Sequence, residues 1–183
     1  MKAYTDLTVL LDRSGSMESI KEPMESAYKE FIQGHSKVPS TRITLIQFDT
    51  TNDQEVIYQD VPVRDARPLK LAPRGYTPLL DAMCKAIDST GKRLASLSES
   101  ERPDQVLMII ITDGQENASQ LYKRSDVADR VKNQSENFKW QFVYLGANQD
   151  AFAEAASFGM RPQWGLNYMT TPDGVQGATR SLT

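Results

Sequence analysis

The chain has 183 residues, 39% of them hydrophobic and 25% charged, enough for one domain with a substantial core. Twenty-one Lys and Arg against 24 Asp and Glu leave a net charge of −3, so no global positive field recruits nucleic acid or an anionic membrane surface. One cysteine, Cys84, excludes an internal disulfide; one histidine, His35, excludes a zinc site built on several imidazoles or thiolates and offers a serine or cysteine hydrolase a single candidate base.

Leu7, Val9, Leu10 and Leu11 predict a short strand that ends in Asp12-Arg13-Ser14-Gly15-Ser16, a cluster of turn and cap residues. A helix is expected next. Ile20, Met24, Ala27, Tyr28 and Phe31 recur at three- and four-residue spacing, while Lys21/Glu25 and Glu25/Lys29 pair at i,i+4 on a solvated face. His35 stands near its end, where the helix dipole favours it. Ile43, Leu45, Ile46 and Phe48 make a second strand, Thr50-Thr51-Asn52-Asp53 a turn, and Val56, Tyr58, Val61 and Val63 a third. The short connection requires an antiparallel pair, and Pro62 places the third strand at a sheet edge. Thr77-Pro78 reads as a threonine N-cap followed by proline at the first helical position. Leu79, Leu80, Met83, Ile87, Leu94 and Leu97 line the buried face of that helix, with Cys84 beside them as a small core side chain.

Residues 106–111 form the longest apolar run, far short of the roughly 20 residues that span a membrane, and fit a strand covered on both faces. The run ends in Thr112-Asp113-Gly114. Residues 125–138 read as a helix with Val127 and Val131 inward, and Trp140, Phe142, Val143, Tyr144 and Leu145 as another buried strand. Gly146-Ala147-Asn148 is expected to cap a short helix around Ala151, Phe152, Ala155 and Ala156, and Trp164, Leu166 and Tyr168 to alternate as a last strand. Strands alternating with helices imply an α/β fold, a mostly parallel sheet with helices on both faces. The domain is expected to occupy residues 1–169. Residues 170–183, with Pro172, Gly174 and Gly177 and only Val175 and Leu182 as sizeable apolar anchors, read as a mobile or extended tail. Residues 1–6 enter the first strand without an apolar leader segment, so a cytoplasmic protein is expected.

Asp12, Ser14 and Ser16 stand at positions 1, 3 and 5 of a strand-to-helix loop, and Thr77 and Asp113 at comparable junctions. All five offer oxygen, the donor that a hard cation such as Mg²⁺ accepts, whereas zinc, copper and iron favour nitrogen and sulfur. Taken singly, each has a plainer reading as a helix cap or a turn residue; the specificity lies in the combination. In a doubly wound sheet, ligands bind beyond the carboxyl ends of the strands where the chain reverses direction, and Asp12 and Asp113 both follow such ends. Glu116 and Asn117 come soon after and stand as rim residues able to shape ligand choice.

The pattern Asp12-Arg13-Ser14-Gly15-Ser16, then Thr77, then Asp113-Gly114 resembles the metal-ion-dependent adhesion site of von Willebrand factor type A domains. The resemblance covers residues 5–168 and implies a doubly wound six-stranded sheet of order 3-2-1-4-5-6 with strand 3 antiparallel. Residues 145–150 look more like short, stand-alone bacterial or phage members than animal extracellular matrix or integrin ones. Tyr76 is a departure, standing where many members carry a second glycine. The resemblance implies that Ser14, Ser16 and Thr77 touch the metal by hydroxyl oxygens, that Asp12 and Asp113 hold it directly or through water, and that Mg²⁺ is the cofactor, with Mn²⁺ able to replace it. A partner protein would then supply an Asp or Glu carboxylate to the remaining coordination position. Two other readings stand beside this non-enzymatic interaction module. One is Mg²⁺-dependent phosphoryl transfer or hydrolysis, with Arg13 and Arg74 near the anion, although the chain has neither a phosphate-binding glycine loop nor a second aspartate directly after Asp12. The other is a regulatory subunit of an AAA+ ATPase or of a phosphorylation pathway.

Overall fold

In the computed structural model, residues 4–36, 40–147, 150–161 and 164–180 are described, for 179 and 180 the backbone alone. Apolar runs and amphipathic stretches alternate along them as β1 (Thr5–Asp12), α1 (Lys21–His35), β2 (Thr41–Phe48), β3 (Glu55–Pro62), α2 (Leu79–Ala95), β4 (Gln105–Thr112), α3 (Arg124–Phe138), β5 (Gln141–Ala147), α4 (Ala151–Ser157), β6 (Gly165–Tyr168) and α5 (Pro172–Arg180). The six strands form one sheet in the order β3-β2-β1-β4-β5-β6. All neighbours run parallel except β2 and β3, as the short turn and the edge proline require.

Because strand side chains alternate, each central strand feeds two cores. Leu7, Val9 and Leu11 pack with Ile109 and Ile111 under α1, through Met24, Ala27, Tyr28 and Phe31. Leu10, Met108, Ile110, Phe142 and Tyr144 pack on the opposite face under α2, α3 and α4. Cys84 belongs to that second core; burial pushes its thiol up to about 12, which makes it an inert packing group. Among the described residues no helix is long and apolar enough to cross a membrane.

Four local expectations need correction. The first helical segment begins as a 3-10 turn at Gly15–Ile20, which buries Met17 and Ile20 before α1 starts. β3 ends at Pro62, and Val63 opens a further 3-10 turn. Thr77 does not cap α2: the helix begins at Leu79, Pro78 is the flanking residue, and neither supplies a side-chain cap. The acceptors come instead from the connection after β4, where Ser119 Oγ receives Leu80 N at 3.0 Å and Asp81 N at 3.1 Å, and Glu116 Oε2 receives Leu80 N at 3.0 Å. Finally, residues 172–180 are helical rather than extended. Val175 is 1% exposed and, with Ala178, closes an apolar hollow lined by Met24, Ile111, Leu145 and Tyr168, while the helix packs along α1. Gly174 is needed where α5 starts, since a Cβ there would collide with the Met169 carbonyl oxygen.

The capping role expected of 146–148 falls partly on Asn148, which with Gln149 lies outside the described residues. Asp150 caps α4, its Oδ1 accepting from Phe152 N and Ala153 N, each at 3.1 Å.

Candidate metal centre

β1 and β4 are adjacent and parallel, with Leu11 opposite Ile111, and they lie where the chain switches direction across the sheet. Asp12 ends β1 and Asp113 directly follows β4, so both carboxylates rise at one end of the sheet centre. The intervening structure then folds Ser14, Ser16 and Thr77 toward them. Ser16 Oγ donates to Asp113 Oδ1 at 2.6 Å, and Ser14 and Ser16 hydroxyls share a hydrogen at 3.1 Å. Gly114 adjoins two of the hydroxyls: a Cβ there would stand in contact with Thr77 Oγ1 at 3.4 Å and Ser16 Oγ at 3.7 Å. The structure thus brings all five expected residues to one place. Asp12, Ser14, Thr77 and Asp113 are buried, whereas Ser16 opens to solvent and leaves the cluster approachable from outside.

The donor set suits a divalent cation. Among the described residues no group of three or more His, Cys, Asp or Glu side chains converges, so this cluster consists of two carboxylates and three hydroxyls. Asp12 is fully buried, and that burial pushes its carboxyl up to about 6 against the pull of hydrogen bonds from Thr112 and Ser14. Asp113 is likewise raised by burial, with the Ser16 hydroxyl pulling the other way. Buried carboxylates whose counterweights are neutral hydroxyl and backbone N–H groups are stabilised in their charged form by a bound cation.

Hydrogen bonds within the cluster and from residues outside it pin each loop. Ser14 N donates to Asp12 Oδ1 at 2.7 Å and Thr112 Oγ1 to Asp12 Oδ2 at 2.6 Å, which fixes both oxygens of that carboxylate. Thr77 is held by a reciprocal pair: its N–H donates to Asn117 Oδ1 at 2.9 Å, and Asn117 N donates to the Thr77 carbonyl at 3.2 Å. Glu116 folds its own loop by accepting from Ala118 N at 2.9 Å and Ser119 N at 2.7 Å. Asn117 and Glu116 therefore shape the Thr77 loop from beneath.

Arg13 points away from the cluster. Its Nε donates to Asp49 Oδ2 at 2.8 Å, Nη1 to Gln47 Oε1 at 3.1 Å and Nη2 to Glu55 Oε2 at 2.5 Å. Arg74 Nε reaches the same Asp49 oxygen at 2.9 Å, while Arg74 N donates to the Arg13 carbonyl at 2.9 Å and Gly15 N to the Gly75 carbonyl at 3.1 Å. Asp49, fully buried at the end of β2, thereby ties the 12–16 loop to the loop that carries Thr77. Burial alone would raise its carboxyl; hydrogen bonds from Arg74, Asn52 and Thr51 and the Arg13 charge outweigh it and lower it. Gly75 has φ +66°, and a Cβ there would collide with Thr50 Oγ1, so the one glycine retained before Thr77 is the one the backbone requires. At the departure from the family pattern, Tyr76 points outward, 68% exposed, with its N–H donating to Thr50 Oγ1 at 3.2 Å.

Thr112 and Asp49 escaped the sequence reading as members of this site, and Asn117, expected at its rim, instead braces the Thr77 loop. For Thr112 a signal existed, a hydroxyl closing an otherwise apolar run immediately before Asp113; for Asp49 none is visible without the fold.

A sequence model described as von Willebrand factor type A domain matches residues 6–173. No curated protein gives a significant sequence match. Among solved structures, proximal thread matrix protein 1 from the mussel byssus, with a zinc-occupied MIDAS motif, is similar at TM-score 0.70 and 12% identity over 99% of this chain and 47% of its own. The pilus adhesin SpaC from Lactobacillus rhamnosus GG, in an open conformation, aligns at TM-score 0.71 and 12% identity over 99% of this chain and 30% of its own. The vWF domain of the type V pili tip protein Mfa5 from Porphyromonas gingivalis aligns at TM-score 0.61 and 9% identity, over 100% and 96% of the two chains. The chain thus spans about half the length of the mussel protein and less than a third of the adhesin.

Proposed function

The chain belongs to the von Willebrand factor type A domain family, and from that premise we propose that it is a non-enzymatic protein-interaction module whose grip depends on a divalent cation. The observation that carries this reading is the convergence of three hydroxyls and two buried carboxylates at the switch point of the sheet, with Ser16 bonded to Asp113 at 2.6 Å. Ser14, Ser16 and Thr77 present hydroxyl oxygens to the ion, and Asp12 and Asp113 hold it directly or through water. Mg²⁺ is the resident ion, with Mn²⁺ as a substitute, because every donor is a hard oxygen. The zinc-occupied motif of the mussel protein supports the placement of a divalent ion at such a site. Carboxylates acting through water leave the ion attractive to a further anion, and a partner protein supplies it as an Asp or Glu side chain.

The pilus adhesin and the pili tip protein among the structural relatives support binding rather than turnover. So does the placement of Arg13 and Arg74. Phosphoryl transfer would ask these guanidinium groups to meet a phosphate, and both are already engaged by Asp49. A pull-down from the native host tests the reading: the partner recovered in Mg²⁺ is lost in EDTA and lost with Asp12→Ala. A partner retained under both conditions contradicts it.

A further inference from the structure

The end of the sheet that carries the five oxygen donors also carries most of the large apolar side chains left in solvent. Tyr76, Leu121 and Met169 stand on connections there and Phe152 in the first turn of α4, whereas Val56 lies on the edge strand and Phe138 at the far end of α3. Tyr76 and Leu121, 68% and 65% exposed, lie on the two loops next to Thr77. Beside them runs a groove of about 360 Å³ between residues 50–53 and 118–121, with Pro78, the neighbour of Thr77, in its wall.

Both banks of the groove are fixed. Asp49 Oδ1 accepts from Thr51 N at 2.6 Å and Asn52 N at 3.0 Å on one side. On the other, the Asp81 carboxylate accepts from Gln120 N at 2.9 Å, Leu121 N at 3.0 Å and Tyr122 N at 2.9 Å. Its acidic side chains already have partners, since Asp53 pairs with Lys85 Nζ at 2.6 Å and the buried Asp81 accepts those amides. What remains for a ligand is hydroxyl and amide hydrogen bonding from Thr50, Asn52 and Gln120 and apolar contact with Leu121. A preformed groove with this lining takes uncharged residues of an extended chain, which a flat protein face could not insert.

We propose that the partner delivers its carboxylate on an extended polypeptide segment, a loop or a chain terminus, whose uncharged residues beside the acidic one occupy this groove and contact Leu121 and Tyr76. The inference rests on the cation-dependent reading above and names the form of ligand that reading requires. Tyrosine is among the side chains that concentrate binding energy at interfaces, and burial of the exposed Leu121 beside it adds apolar contact.

The test is selection of displayed 12-residue peptides, with a central Asp or Glu and random flanks, on the full chain in Mg²⁺. Recovered peptides are then titrated against the native protein, Tyr76→Ala, Leu121→Ala, Phe138→Ala and Asp12→Ala, and Mg²⁺ alone is titrated in parallel by calorimetry. The expected result is a set of EDTA-sensitive peptides with uncharged residues enriched on one side of the acid. Their affinity should fall at least about tenfold in Leu121→Ala and Tyr76→Ala and stay unchanged in Phe138→Ala, while Leu121→Ala keeps native Mg²⁺ affinity. Peptides that depend on Mg²⁺ but show no flank preference and no response to either substitution overturn the inference and leave the cation reading intact. So does recovery of no Mg²⁺-dependent peptide from a protein that binds Mg²⁺. Peptides indifferent to EDTA and to Asp12→Ala, on a protein that binds no Mg²⁺, overturn both.

Discussion

Thr112 Oγ1 donates to Asp12 Oδ2 at 2.6 Å, a hydrogen bond across the carboxyl ends of the two central strands. The same threonine, through its carbonyl, receives the Tyr168 hydroxyl at 3.1 Å. One residue thus joins the buried carboxylate of the proposed metal centre to the last strand of the sheet. Groups that orient a metal ligand from behind typically change affinity by about 10- to 100-fold when removed. Thr112→Val keeps the branched shape but loses the donor, so Mg²⁺ affinity measured by calorimetry is expected to fall by about tenfold or more. An unchanged affinity would show that Asp12 needs no such support.

Glu116 acts on the opposite side of the site, through the start of α2 and the loop under Thr77. Replacing it with alanine removes acceptors from Leu80, Ala118 and Ser119, and a cap loss of this kind costs about 1 kcal/mol. Chemical denaturation should show that loss, accompanied by weaker Mg²⁺ binding because Asn117 and Thr77 sit in the same loop pair. A stability loss with unaltered Mg²⁺ affinity would separate the cap from the site.

Asp49 is expected to give the largest single effect. Asp49→Asn leaves the buried Arg13 with its bonds to Gln47 and Glu55 but removes the buried carboxylate that Arg13 and Arg74 share, a loss of charge-assisted hydrogen bonds worth up to roughly 3 kcal/mol. Its carboxyl is lowered in the folded protein, so the folded state binds a proton less readily than the unfolded chain. The stabilisation is therefore complete above the ordinary Asp value near about 3.9 and is lost as pH falls through the lower folded value. Acid titration of stability should show this decline in the native protein and a shallower one in Asp49→Asn; parallel curves would contradict the assignment.

The C-terminal helix makes a separate claim about the fold. Val175 is buried against Met24, Ile111, Leu145 and Tyr168, so Val175→Ala should cost about 2 kcal/mol in denaturant unfolding. Backbone amides of α5 should also exchange slowly in the native protein. Rapid exchange throughout 172–180 would restore the extended tail.

The strand and helix order was legible because it is written locally. Residues 106–111 are apolar without interruption, and Met24, Ala27, Tyr28 and Phe31 share one helical face. The five oxygen donors could be singled out for the same reason, being concentrated at strand ends and turn motifs. What stayed hidden depends on partners far along the chain. The cap of α2 is supplied by Glu116 and Ser119, the Thr77 loop is braced by Asn117, and Arg13 is turned aside by Asp49, all across separations of more than thirty residues. α5 was misread because its composition, with Pro172, Gly174 and Gly177, carries little intrinsic helix preference. A hollow on the sheet, assembled from four different elements, supplies what the segment lacks.

The central claim is that Asp12, Ser14, Ser16, Thr77 and Asp113 together hold a divalent cation. Calorimetric titration of the chelator-treated protein with Mg²⁺ tests it most directly, with Asp12→Ala, Asp113→Ala and Phe138→Ala in parallel. Saturable binding of one ion per chain, lost in both aspartate variants and kept in Phe138→Ala, is the predicted result. Absence of binding in the native protein, or binding that survives the loss of either aspartate, would contradict the account.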